Sequence, residues 1–179
     1  ISSAASDVYK RQSYCGISGV TKKEETLADG AATVAALSAA VTAMDDEEVT
    51  ATGRYLFITP TLLQGINDMD TTKSKKVLEG FEQVIKVPQR RFYTAIKQLS
   101  GKTGEEAGGY TKATGAANIN FAIVQKDALI QYTKHAAPKI IAPENNPDAD
   151  AYVFGYRMVG IAKAYKNMLS GMYFSHDKA

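Results

Sequence analysis

The sequence predicts an α+β fold. Three observations carry this: an alanine-rich segment from Glu24 to Met44 with apolar residues at helical spacing, short runs of branched and aromatic residues between Arg54 and Val124, and a long extended return from Tyr152 to Phe174. The return has no residue arranged for catalysis, and its aromatic, two-sided pattern suits pairing with other backbone and other chains.

Taking the elements in order, Thr21 and Glu24 have capping-box spacing, in which hydroxyl and carboxylate satisfy each other's free backbone amides. Leu27, Ala31, Val34, Val41 and Met44 then mark one stripe of a helix of about five turns, with Gly30 as an internal penalty of about 1 kcal/mol. Four carboxylates, Asp45 to Glu48, oppose the dipole at a helix C-terminus and read as a solvated exit. They lack the alternation and glycine of a calcium loop. Arg54 to Thr59 reads as a buried strand, and Thr59-Pro60 as the N-cap and first residue of a short helix through Leu62, Leu63 and Ile66. Phe81 to Val87 is a second strand, closed by Pro88. Five glycines crowd residues 100–117, which therefore read as a mobile loop. Asn120 to Val124 is a third strand, followed by a short helix near Asp127 to Tyr132. His135 to Ala142 is extended, with Pro138 arguing for an edge. Pro143 to Pro147 is a turn and hinge. In the return, Tyr152, Phe154, Tyr156 and Met158 alternate with Val153, Arg157, Val159 and Ile161, so the strand is expected to be covered on both sides, by its own core and by a neighbour. Lys166-Asn167 offers a turn, and Gly171 to Phe174 a short closing strand.

The 179 residues suffice for one ordinary domain that buries roughly 70% of its unfolded surface. A content of 45% hydrophobic and 22% charged residues excludes a disordered chain. A formal charge of +2 gives no global basic field for nucleic acid, and Lys86, Arg90 and Arg91 read as solvated surface. The single cysteine, Cys15, excludes an internal disulfide and suits a reducing cytoplasm. No apolar run approaches the ~20 residues of a membrane span. Asp7 to Gln12 looks like the translation of a transposase adapter from sequencing-library preparation, so residues 1–12 are set aside as a scar. Without them nineteen cations face eighteen carboxylates, and the natural protein is expected to begin upstream.

Nothing is arranged for turnover. His135 and His176 lie far apart; His176 falls in a terminal tail, and His135, between Lys134 and an alanine pair, reads as structural. Their spacing fits no zinc helix, and one cysteine makes no cysteine-rich zinc site. There is no Gly-x-Ser-x-Gly elbow and no phosphate-binding loop. Glu105-Glu106 sits in the glycine-rich loop, poorly suited to hold a catalytic geometry. No catalytic, cofactor-binding or metal residue is assigned.

Four stretches together, Gly53 to Pro60, Gly80 to Pro88, Ile119 to Leu129 and Gly155 to Tyr173, resemble the major capsid proteins of tailed bacteriophages with the Hong Kong ninety-seven fold. The similarity spans residues of about 25 to 175. In that family a spine helix and long strands form a peripheral domain, and an axial domain of strands and helices surrounds each capsomer centre. The resemblance implies that residues 13–52 are a spine-helix and peripheral-domain remnant, with Glu24 to Met44 as the spine helix or its immediate successor. Residues 53–145 would be the axial domain and 146–179 the returning peripheral strands. The loop 100–117 would face a capsomer axis. The family's N-terminal arm and hairpin loop are not recognisable, as in a C-terminal fragment. Some members cross-link lysine to asparagine, but no motif here assigns a pair. The implied role is a structural subunit, not an enzyme, without cofactor. It would pair with copies of itself in pentamers and hexamers, with scaffold and portal proteins as further partners. It would enclose double-stranded DNA without sequence-specific binding or membrane contact. The implied location is the virion, assembled in the bacterial host cytoplasm. Three alternatives stand beside this: an encapsulin-like compartment shell; a small α/β enzyme with a site near His135 and Lys134; and a single-strand nucleic-acid module using Lys86, Arg90, Arg91, Phe92 and Tyr93.

Overall fold

The computed structural model describes residues 14–69, 72–105, 108–145 and 150–178. The adapter-like residues 1–12, Glu106 and the hinge residues Asn146 and Pro147 lie outside them. The elements run β1 (Thr21–Glu24), α1 (Gly30–Asp46), β2 (Arg54–Ile58), α2 (Pro60–Asp68), α3 (Thr72–Glu79) and β3 (Gln83–Lys86). They continue through β4 (Ile96–Gln98), β5 (Tyr110–Lys112), β6 (Ile119–Gln125), β7 (Leu129–Ile141), β8 (Val153–Ala164) and β9 (Met172–His176). Two compact units result, one from the chain up to Ala128 and from Ala164 onward, the other from Leu129–Lys163.

In the first unit five strands form a mixed sheet in the order β1-β9-β6-β2-β3. The sequence of β6, Ile119 to Gln125, is almost wholly apolar, and all seven residues are buried, so this strand is covered on both faces. It pairs antiparallel with β2 on one side, Leu56 opposite Ile123, and with β9 on the other, Ile123 opposite Tyr173. Side chains alternate along each strand, so Leu56, Ile58, Phe121, Ile123 and Tyr173 share a cluster with Val34, Leu37, Ala40 and Met44 of α1 and Leu63 and Ile66 of α2. The Phe121 and Tyr173 rings stack, centroids 6.2 Å apart. The Thr59-Pro60 signal opens α2 as expected, with proline in the first turn.

Four local expectations change. Thr21–Glu24 is no helical cap but the edge strand β1, parallel to β9. The helix begins at Gly30 instead, because the Asp29 carboxylate accepts from Ala32 N at 2.7 Å and caps it there. The glycine-rich segment is no structureless loop: its glycines turn the chain back so that β5 pairs antiparallel with β4. In place of the helix expected near Asp127 to Tyr132, Lys126–Ala128 form a brief 3-10 turn and β7 follows, since Ile130, Tyr132 and Thr133 favour extended backbone over a helix. The closing strand does not fold back on β8. It runs between β1 and β6 as β9, buried through Met172, Tyr173, Phe174 and Ser175. The polar helix α3 was not foreseen. The unit boundaries fall at 128/129 and 163/164, and α1 and β9 both pack into the sheet of β2 and β6.

Candidate assembly surface

The second unit is a two-stranded ribbon of β7 and β8. Branched and aromatic residues favour extended backbone in both strands, and Pro138, Gly155 and Gly160 disfavour a helix. A Cβ at Gly155 would lie 3.7 Å from the Lys139 Cβ, and one at Gly160 3.5 Å from the Tyr132 carbonyl oxygen, so the strands run in opposite directions. Both contacts match residues of the same parity, which sorts the side chains into two faces. One face collects Ile130, Tyr132, Ile140, Phe154, Tyr156 and Met158, joined by Tyr152, whose ring stacks on Phe154 at 6.2 Å. The other carries Thr133, His135, Lys139, Arg157 and Lys163 among Val153, Val159 and Ile161.

Within the ribbon itself the apolar side chains of both faces are mostly exposed, where the sequence pattern predicts cover on both sides. Phe154 is 75% exposed and Tyr156 68%. Among the described residues, the large hydrophobic side chains that are exposed lie between Ile130 and Tyr165. Scattered exposed apolar residues are ordinary, but a contiguous set marks an interaction surface. Covering a Phe or Tyr of this exposure contributes about 2 kcal/mol. A two-stranded ribbon is at best marginally stable alone in water. The physical pressure is therefore toward a partner.

The alternatives with a chemical site fare differently. His135 and Lys134 are exposed on β7. His176 is not in a free tail: it ends β9, opposite Glu24 on one side and Ile119 on the other, with Nδ1 2.8 Å from the Asp177 carbonyl oxygen. A shallow cleft between α1 and α3 is lined by Ser38, Thr72, Lys73, Lys76 and Val77, and contains neither histidine. Glu25 accepts from the Ser175 hydroxyl at 2.7 Å, and Asn120 donates to the Glu25 carbonyl at 2.9 Å. This trio, with Asn120 and Ser175 buried and Glu25 half-buried, latches the segment after β1 to β6 and β9. Burial, and then the Glu25 charge, raise the Tyr173 phenol above its ordinary pKa. Of the proposed nucleic-acid residues, Phe92 is 2% exposed and so unable to stack on a base, while Lys86, Arg90 and Arg91 are exposed.

No family model and no curated protein matches the sequence. Solved structures do match. A chain from Mycobacterium phage Che8 superposes with a TM-score of 0.58 at 8% identity, covering 96% of this chain. A chain of the capsid structure of the cyanophage P-SCSP1u superposes with a TM-score of 0.55 at 16% identity, covering 97%. The fold is that of phage capsid structures. The chain spans 58% and 60% of the length of those two solved chains.

Proposed function

We propose that this chain belongs to a major capsid protein of the Hong Kong ninety-seven fold, a structural subunit without catalytic function. It assembles with copies of itself into the pentamers and hexamers of an icosahedral shell enclosing double-stranded DNA. The observation that carries the reading is the β7–β8 ribbon: in a chain with a phage capsid fold, the exposed large aromatic and aliphatic side chains among the described residues lie on or beside one extended element. The five-stranded unit is the axial domain in this reading, and the ribbon supplies peripheral-domain strands. Scaffold and portal proteins are its further partners, and the virion, assembled in the host cytoplasm, is its place.

The mechanism is repetition. Each subunit buries a modest patch on its neighbour, and closed symmetry multiplies weak contacts into a stable shell. The test is negative-stain electron microscopy of the protein, both as the 179-residue chain and within its natural reading frame. Capsomer rings or uniform closed shells support the proposal. A monomer under every assembly condition in both forms would remove it.

A further inference from the structure

The charge of this chain is unevenly spread. Residues 83–126 contain seven lysines and arginines against the two carboxylates Glu105 and Glu106; the remainder has fourteen against seventeen and is acidic. The fold then concentrates part of this surplus. The Tyr110 hydroxyl of β5 donates to the Arg90 carbonyl at 3.1 Å, which ties the β4–β5 hairpin to the 3-10 turn Gln89–Arg91. That turn is anchored by buried Phe92, whose carbonyl accepts from Gln89 Nε2 at 2.9 Å. On the same hairpin face as Tyr110, Lys112 reaches back: its Nζ lies 5.6 Å from the Tyr93 ring centroid and donates to Asn118 Oδ1 at 3.1 Å. Glu105 does not neutralise this group, because it pairs at 2.7 Å with Lys97, which points from the opposite face of the hairpin. Lys86, Arg90, Arg91 and Lys112 have no carboxylate partner among the described residues.

We propose that Lys86, Arg90, Arg91 and Lys112 form a contact site for the phosphate backbone of double-stranded DNA. Guanidinium forks match pairs of phosphate oxygens, and exposed cations held on a fixed turn lose little entropy on engaging them. The aromatic side chains nearby argue for backbone contact and against base stacking. Phe92 is buried, the Tyr93 ring carries Lys112, and the Tyr110 hydroxyl is committed to Arg90, so no stacking platform remains among them. Such a site is indifferent to sequence and strongly salt-dependent. Across a shell of many copies, weak individual contacts would add. The inference rests on the shell reading only in naming duplex DNA as the polyanion.

The experiment is fluorescence anisotropy of a labelled random-sequence duplex with the whole chain, titrated between ~50 and ~200 mM salt. Four phosphate contacts give a log–log slope of about −3 to −4, or about a hundredfold loss of affinity over that range. The double variant Arg90→Gln/Arg91→Gln should make the slope shallower by about 2, with an unchanged melting curve because both side chains are exposed. Lys76→Gln, in the cleft beside α3, should leave the slope unaltered. A slope indifferent to the arginine variant overturns the proposal. So does a variant that binds DNA normally but no longer forms rings, which would make the patch a contact for an acidic run such as Asp45 to Glu48 of a second copy. Salt-dependent binding without any rings in the unaltered protein would sink the shell reading and leave this site standing.

Discussion

A side chain at Gly30 would overlap the backbone carbonyl oxygen of Gly65 and stand 2.9 Å from the Met69 sulfur. The first turn of α1 thus meets the middle of α2 backbone to backbone. The demand is one-sided. A Cβ at Gly65 would find the Gly30 nitrogen at 3.5 Å and its Cα at 3.6 Å, which is ordinary van der Waals contact.

The two alanine variants should therefore differ in sign. Gly30→Ala forces the helices apart and should destabilise by about 1–3 kcal/mol. Gly65→Ala removes a flexible residue from a helix interior and should be neutral or stabilising by up to about 1 kcal/mol. Thermal melts of both decide it. A loss in Gly65→Ala as large as that in Gly30→Ala would show that the helices need both glycines.

Arg54 explains how the acidic end of α1 is tolerated. Its side chain is 3% exposed, donates from Nη2 to Asp45 Oδ1 at 2.6 Å and to the Val49 carbonyl, and donates from Nε to the Thr50 carbonyl at 3.1 Å. Asp45 is 55% exposed, so the bond between them is unequal. Arg54→Met should cost on the order of 2–3 kcal/mol, because the part-buried Val49 and Thr50 carbonyls lose a charged donor. Asp45→Asn should cost less than ~1 kcal/mol, since water replaces the carboxylate and both carbonyls remain engaged. Denaturant unfolding of the two variants gives the comparison; equal losses would mean that the ion pair, not the carbonyl contacts, sustains this corner.

Local apolar pattern made β2, β6 and the start of α2 readable, since Leu56, Ile58, Phe121 and Ile123 are buried for reasons that their own sequence neighbourhood expresses. β1 was not readable. Thr-Lys-Lys-Glu is polar and fully exposed, and is a strand only because β9, about 150 residues later, offers a free edge. The same holds for β5, whose three residues after a glycine run acquire a ladder from β4. For the assembly surface, the residues of the return could be named in advance. That they are uncovered could not, since apolar residues on both faces of a strand look alike whether the covering layer belongs to this chain or to another. Of the proposed basic site, Lys86, Arg90 and Arg91 could be named from sequence as a nucleic-acid alternative, but Lys112 could not, since the hairpin relates it to the Arg90 turn across about twenty residues of sequence.

The β4–β5 hairpin should loosen in acid. Hydrogen bonds from Lys97 and then from the Ser100 backbone hold the Glu105 carboxyl down at about 2, well below its ordinary value of 4.5. A folded-state pKa below the unfolded one contributes stability that is fully present above about pH 4.5 and is lost as pH falls through about 2. The group is exposed, so the effect is local and salt-screened. Amide hydrogen exchange at Ser100 should quicken, relative to its intrinsic rate, as pH falls across that window, and Glu105→Gln should show the quickened exchange already at neutral pH. Protection at Ser100 that stays flat across the same pH range would mean that the Glu105 contact does not order the turn.

The ribbon offers the sharpest separation of folding from assembly. Phe154→Ser and Tyr156→Ser remove side chains that touch water in the single chain, so the melting of the monomer should change by no more than about 0.5 kcal/mol. If a second copy covers that face, each substitution removes about 2 kcal/mol per contact. Symmetry repeats this loss around every ring, so assembly should fail or shift to much higher concentration. Arg157→Ser and Lys163→Ser, charged positions on the opposite face, should assemble nearly as the unaltered protein does. Sedimentation velocity over a concentration series measures both effects. Equal impairment by the two pairs would mean that both faces are covered in the shell; no impairment by either would remove the ribbon from the interface. The asymmetry between faces is what the parity of the Gly155–Lys139 contact predicts, because it places Phe154, Tyr156 and Ile140 together and Arg157 with Lys139 on the reverse.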